Sequence, residues 1–424
     1  MALEDYRPMM ERCSNCLGCR WIPFDKIQSQ RFGENCPSIS YFNFNTYSAR
    51  GRFQLGQTYL DGDADLSEEV VNVIHSCTTC GLCDVTCKIT RYNLEPLEHN
   101  IALKERAVEK GATVAPQPEM IESLKKEGTL IRGKRSADRG GWLDGLKVKN
   151  LLKEMAEVLY FPGCKLAYDE AKHKTARAGL ELLLNAGVDV GVLGEGDSCC
   201  AARAYQMGFT EEFDKKAQAN IKVFEKTGVS TIVTPCSDGY HAFKRLYPKL
   251  GLKIKVLHVV EYIDQLIQEG KIKFSKSVPL TVTYHDPCHL GRLGEPYVEW
   301  EGKEKKIRNQ IHTWEPRRPR YNGAYGIYDA PRNILRSIPG IELVEMERIR
   351  EYSWCCGAGG GCSETDPEYS NWVAGERVTE ANATGADALV TACPWCEANF
   401  EGATDENGHT IAVLDIIDLV QQAL

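Results

Sequence analysis

No stretch of these 424 residues stays apolar long enough to span a bilayer, and the opening Met1-Ala2-Leu3-Glu4-Asp5 has no secretory character. A cytoplasmic, reducing setting is therefore expected. Positive charge is in deficit, with 51 Lys and Arg against 59 Asp and Glu. The formal charge of -8 leaves no footprint for nucleic acid or an anionic membrane. No GxGxxG fingerprint occurs, so neither nucleotide nor flavin binding is expected of this chain. Single-core architecture is excluded by length, which suggests two or three domains.

Cysteine, by contrast, is plentiful. There are eighteen, eight within the first 87 residues and ten in two later groups. Without an export signal, thiols in such groups point to metal ligation and away from disulfides. Cys13-x2-Cys16-x2-Cys19 is followed by Cys36-Pro37, and Cys77-x2-Cys80-x2-Cys83-x3-Cys87 forms a second run. Three thiolates at this spacing wrap three corners of a cubane and fit tetrahedral zinc poorly. The runs resemble two-cluster ferredoxins, in which the fourth cysteine of one run serves the other cluster. That resemblance implies one [4Fe–4S] cluster on Cys13, Cys16, Cys19 and Cys87, and a second on Cys77, Cys80, Cys83 and Cys36. Two departures stand out: an insertion between Cys19 and Cys36, and Lys88 in place of proline after Cys87. A cation there favours a reduced cluster if it lies close. Helices are expected over Leu66–Ile74 and Pro96–Lys110, a layout similar to the helical ferredoxin domain of succinate dehydrogenase-type subunits. Residues 115–150, rich in Pro, Gly and charge, read as a linker or a strap across a partner.

From about Glu157 the chain repeats itself. Gly228 precedes Cys236 by eight residues, as Gly385 precedes Cys393; Val256-Leu257-His258 begins twenty residues after Cys236, and Val413-Leu414-Asp415 twenty after Cys393. Each half reads as strands alternating with helices. Examples are strands Val158–Phe161 and Leu280–Tyr284 and helices Glu211–Lys226 and Pro367–Thr384, the last opened by Thr365-Asp366-Pro367. This alternation implies small α/β layers with parallel strands, whose cysteine loops converge at the strands' carboxyl ends.

The second half carries Cys288, Cys355-Cys356-Gly357, Cys393 and Cys396; the first carries Cys164, Cys199-Cys200-Ala201 and Cys236, with Gly239 where a fifth cysteine belongs. Adjacent thiolates cannot easily reach two corners of one zinc, and they suit an enlarged iron–sulfur assembly. The pattern resembles the CCG domain of heterodisulfide reductases. The resemblance implies a non-cubane [4Fe–4S] cluster on Cys288, Cys355, Cys356, Cys393 and Cys396. In the first half, Cys164, Cys199, Cys200 and Cys236 can hold a further iron–sulfur cluster, a zinc, or nothing. Close approach to a cluster accounts for Gly357-Ala358-Gly359-Gly360-Gly361, and Cys362 reads as a small loop residue. His285 and His289, flanking Cys288, are the candidate catalytic proton donors; hydrogen bonding to a ligand or a surface position is the plainer reading.

The expected architecture is α/β plus α: a helical two-cluster ferredoxin-like domain over 1–114, the 115–150 linker, a degenerate first CCG domain over 151–275 and a complete second over 276–424. As a whole it resembles the catalytic subunit of heterodisulfide reductase and its relatives, including the comparable subunit of benzoyl-CoA reductase complexes. Two functions follow from the resemblance. One is an oxidoreductase subunit that reduces or forms a disulfide at the second CCG site. The other is a wiring subunit between a flavoprotein and another acceptor, such as a quinone, a ferredoxin or an acyl-CoA reductase. Partners implied are a flavoprotein, a cytochrome b or a further iron–sulfur protein, with any membrane association through such a partner. An extra stretch, roughly Pro296–Tyr328, interrupts the second half. It holds Lys303, Lys305, Lys306, Arg308, Arg317, Arg318 and Arg320 among Trp314, Tyr321, Tyr325 and Tyr328. Arginine beside aromatics suits an interface, so the stretch is expected to dock a partner subunit or to cover the cluster.

Overall fold

Local signals account for the helical N-terminal unit. The Ser48 hydroxyl accepts the Gly51 N–H at 3.0 Å and starts helix Ala49–Asp61. Gly62, at φ +82°, ends it. Ser67 opens Glu68–His75, and Pro96 occupies the first turn of Pro96–Glu109, within a residue or two of the expected spans. Leu82–Ile89 carries Cys83 and Cys87. These helices close over Tyr6, Met10, Phe53, Ile74 and Leu103. The computed structural model describes residues 2–89, 94–296, 298, 300–307 and 311–424. Arg308 of the extra stretch lies outside them.

Two parallel sheets follow. The first runs β1-β3-β2-β4-β5, formed by Lys149–Asn150, Val190–Val192, Val158–Tyr160, Thr231–Thr234 and Lys255–His258. The second runs β11-β10-β6-β9, formed by Ala412–Asp415, Ala388–Thr391, Leu280–His285 and Ile341–Val344. The duplication is visible in the register: Thr234 pairs with His258 where Thr391 pairs with Asp415. His258 and Asp415 each cap the helix that follows, accepting from Val260 N and Ile417 N. One apolar cluster runs through both units, from Leu159 and Ile232 to Val282, Val390 and Ile417. Burying such side chains contributes roughly 1.5–3 kcal/mol each, which holds the two halves together.

The 115–150 segment is structured along this body. It forms helix Gln117–Glu127, a short turn over Ser136–Leu143 and the edge strand β1. The extra stretch of the second half forms an antiparallel hairpin, β7 (Lys303–Ile307) and β8 (Ile311–Glu315), with Lys303 opposite Glu315. It then returns along the N-terminal unit. Among the described residues no helix is long and apolar enough to cross a membrane.

Candidate iron–sulfur sites

The eight N-terminal cysteines fall into two baskets. One small pocket is lined by Cys13, Cys16, Cys19 and Cys87, a second by Cys36, Cys77, Cys80 and Cys83. The chain thus crosses over as two-cluster ferredoxins do, with Cys36 and Cys87 each joining the other run. Burial pushes the Cys19 and Cys36 thiols up to about 12 and raises Cys87 as well. Thiols this hard to ionise need a compensating cation, and the donor set suits one. Buried cations surround the second basket. Arg292 Nε donates to Cys80 O at 2.6 Å, Lys104 Nζ to Cys77 O at 2.7 Å, and Arg52 Nη2 to Ser38 and Ser76, both at 2.9 Å. Lys88 plays a different part from the one expected. It forms ion pairs with Asp84 at 2.8 Å and Glu95 at 2.6 Å, so its charge is neutralised locally.

In the second CCG unit β6, β9 and β10 deliver their cysteine loops to one place. Cys288 shares a thiol–thiol hydrogen bond with Cys355, Cys355 with Cys356, Cys356 with Cys396, and Cys396 with Cys393. Cys355 and Cys396 donate toward Cys356, which holds it well below the ordinary thiol range. Gly357 N–H donates to Cys355 Sγ at 3.3 Å, and Ala201 N–H repeats this on Cys199 Sγ at 3.3 Å. Among the described residues no three Cys, His, Asp or Glu side chains gather as a single metal ion requires. Five thiols gathered this closely suit a polynuclear group.

The ferredoxin unit and the second CCG unit meet backbone to backbone. A Cβ built on Gly359 would lie 2.4 Å from Thr78 O, and one on Gly360 would lie 2.3 Å from Cys77 O. The glycine run therefore admits the second ferredoxin loop itself, where close approach to a cluster was expected. Cys355 Sγ lies 3.5 Å from Thr78 Oγ1, and Cys80 and Cys355 are hydrogen-bonded. Cys362 is buried, with its thiol 3.7 Å from His75 O.

The first CCG site opens into a cavity of about 380 Å³, lined by Cys164, Cys199, Cys200, Cys236, Arg203 and Trp395. Arg139, from the expected linker, donates from Nη1 to Cys164 Sγ at 3.1 Å and pairs with Asp197. Arg203 lies 4.1 Å over the Trp395 ring, so the second unit supplies a wall of the first site. A Cβ at Gly239 would meet nothing closer than Thr234 Oγ1 at 3.4 Å. The backbone at Gly239 therefore leaves room for a Cβ. Arg139, Arg203 and Arg292 lie outside any cysteine motif. The one local signal was Arg292, four residues after Cys288.

Neither histidine is at the surface. His285 accepts the Arg377 Nε–H at its Nδ1, 3.2 Å away. Burial, then Arg377 and Arg292, hold its pKa well below the ordinary value. The ring stays neutral with its proton on Nε2, which suits hydrogen bonding and leaves it unsuited as a proton source. His289 is paired through Nδ1 with Asp238 of the first unit and stacks on His241 at 4.9 Å. Burial works against the Asp238 carboxylate, but His289 and Arg203 more than reverse that and keep it ionised.

Comparison with known proteins matches this geometry. The "4Fe-4S dicluster domain" matches residues 9–90, and the CCG "Cysteine-rich domain" matches 158–244 and 318–401. The second of these begins beyond Cys288, as the interrupted spacing anticipates. These matches define a class, an iron–sulfur protein that binds 4Fe–4S clusters through a dicluster unit and carries two CCG domains. A subunit of the dihydromethanophenazine:CoB–CoM heterodisulfide reductase of Methanosarcina mazei is 32% identical over 98% of this chain and 94% of its own. The same subunit from Methanosarcina acetivorans is 30% identical over 98% and 94%. An EtfAB:quinone oxidoreductase of Syntrophomonas wolfei is 29% identical over 83% of this chain, which spans 46% of that protein. The chain belongs to the CCG-domain iron–sulfur oxidoreductase family that includes these heterodisulfide reductase subunits.

Proposed function

We propose that this chain is the substrate-handling iron–sulfur subunit of a redox complex that reduces or forms a disulfide. The domains would be those read from the sequence: 1–114, 115–150, 151–275 and 276–424. Two [4Fe–4S] cubanes would be held by Cys13, Cys16, Cys19 and Cys87 and by Cys36, Cys77, Cys80 and Cys83. A non-cubane cluster would be held by Cys288, Cys355, Cys356, Cys393 and Cys396. When bound, these groups supply one-electron storage and, at the second CCG site, an iron–sulfur face for substrate sulfur. The observation that carries this reading is the junction: Cys80 touches Cys355, and the Cys77–Thr78 backbone fills the space left by Gly359 and Gly360.

Disulfide reduction consumes two electrons and two protons. In this reading His289, paired with Asp238, would take part in proton transfer near Cys288, while His285 would serve by hydrogen bonding to Arg377. The cavity beside Cys236, closed on one side by Arg203 and Trp395, is the space a further group in the first site would fill. Four thiolates and Arg139 suit a further anionic cluster in the first site. Expected partners are a flavoprotein, a cytochrome b or a further iron–sulfur protein, in the reducing cytoplasm.

A second reading is favoured by the similarity to the EtfAB:quinone oxidoreductase. In that reading the chain passes electrons from a flavoprotein to a quinone, ferredoxin or acyl-CoA reductase and has no substrate of its own. Cys396→Ala separates the two. In a disulfide enzyme it abolishes thiol–disulfide turnover while reduction of the N-terminal sites persists, and oxidation of wild type with a coenzyme thiol produces a new EPR signal. If turnover survives the substitution, the first reading is wrong.

A further inference from the structure

Of the eighteen cysteines only Cys16 is exposed. The residues on either side of it, Asn15 at φ +57° and Leu17 at φ +58°, are both left-handed. The other end of the same basket is covered: Lys88 Nζ donates to Tyr321 O at 3.1 Å, and Arg320 Nη1 to Ile89 O at 3.4 Å. The second basket faces inward, onto Cys355. Electron tunnelling falls steeply with distance, so the Cys16 edge is the short way in.

Beside this edge lies an open groove of about 530 Å³, walled by Arg20, Phe44, Arg50, Gln54, Leu55 and Thr58. Arg50 also lines the thiol pocket, so groove and site share a wall. Large apolar side chains are left in water here: Phe44 is 64% exposed, and Trp21, under the Arg20 guanidinium, is 42% exposed. The Arg50 Nε donates to Asn15, and among the described residues no carboxylate forms an ion pair with Arg50. Arg20 is paired with Glu34 at 2.7 Å, so the Arg50 guanidinium is the cation this aromatic rim offers to an acidic surface, on a chain of net charge -8.

We propose that this groove and the Cys16 edge form the docking site of an electron-exchanging partner protein. The partner presents an acidic face and brings a one-electron cofactor against the Cys16 loop. The proposal rests on the reading that the N-terminal cysteines hold clusters.

Gln54 and Thr58 are exposed, one turn apart on helix Ala49–Asp61, and touch no thiol. They allow the groove's charge to be changed without disturbing the site. The probe is reduced flavodoxin, an acidic one-electron carrier, mixed with the full-length anaerobic protein in a stopped-flow instrument. Gln54→Glu with Thr58→Glu should slow reduction about three- to tenfold at low salt, and Gln54→Lys with Thr58→Lys should speed it, both differences shrinking as salt rises. Reduction by dithionite and iron content should match wild type. Equal flavodoxin rates in all three proteins overturn the proposal, as does a slowing produced by Arg317→Glu on the extra stretch instead. A change of oligomeric state in the acidic variant would assign the groove to a second copy of the chain and overturn it too. Absence of N-terminal iron from wild type would instead defeat the underlying reading.

Discussion

At the residue scale, function turns on positions where backbone geometry permits one side chain only. Gly360 and Gly385 both sit near φ +70°, but a Cβ at Gly385 meets open space while one at Gly360 runs into Cys77 O. Gly385→Ala should cost about 1–2 kcal/mol, the conformational penalty alone. Gly360→Ala adds a backbone clash, so it should lower the melting temperature further. It should also slow electron arrival at the second CCG site, read by freeze-quench EPR after dithionite reduction. If the two variants behave alike, the junction is not backbone-tight. Arg139→Met tests a different residue. It removes the donor to Cys164 and strands the Asp197 carboxylate in the interior, and breaking a buried pair in this way costs about 3–5 kcal/mol. The melting temperature should drop accordingly, while Arg139→Lys should recover part of the loss by keeping the charge.

At the element scale, helix Pro96–Glu109 ties the ferredoxin unit together. His99 is fully buried on it, against Phe53 at 4.5 Å, and burial lowers its pKa to about 3. His75, at the end of Glu68–His75, is likewise lowered to about 3 by burial and then by Lys104. The unfolded imidazoles titrate near 6.5. Between about 6.5 and 3 the unfolded chain therefore binds more protons than the native one. The stability these histidines contribute is complete above pH 6.5 and is lost as pH falls toward 3. Each contributes up to about 1.4 kcal/mol per pH unit within that window. Urea midpoints at pH 6.5 and 5.5 should separate more in wild type than in His99→Gln; an equal separation would show that His99 is not buried neutral.

At the scale of the whole molecule, the ferredoxin unit, the first CCG unit and the second form a continuous body around the cysteine loops. The returning segment of the insert, after β8, fastens the ferredoxin unit through Arg318 and Glu95, 2.7 Å apart. It thus covers the Cys87 end of the first basket, while β7 and β8 of the hairpin pair with each other. Anaerobically prepared protein should carry about twelve irons, or about sixteen with the first CCG site filled, at four per cluster. Zinc without iron would end the cluster reading.

The cysteine spacings pointed to iron–sulfur ligation, the resemblance to two-cluster ferredoxins implied which thiols share each basket, and the repeated offsets marked the C-terminal part as a duplicated parallel α/β unit. Those properties are local or periodic, and a spacing or an offset records them directly. Tertiary structure alone decided what joins the parts. No spacing relates Cys77 to Gly360, Arg139 to Cys164, or Asp238 to His289, because each contact is made between segments brought together by packing. The same holds for charge. Lys88 looked like the cation beside a cluster, but Asp84 and Glu95 neutralise it. The cations that do surround the second basket, Arg52, Lys104 and Arg292, come from three separate segments whose burial only the folded chain creates.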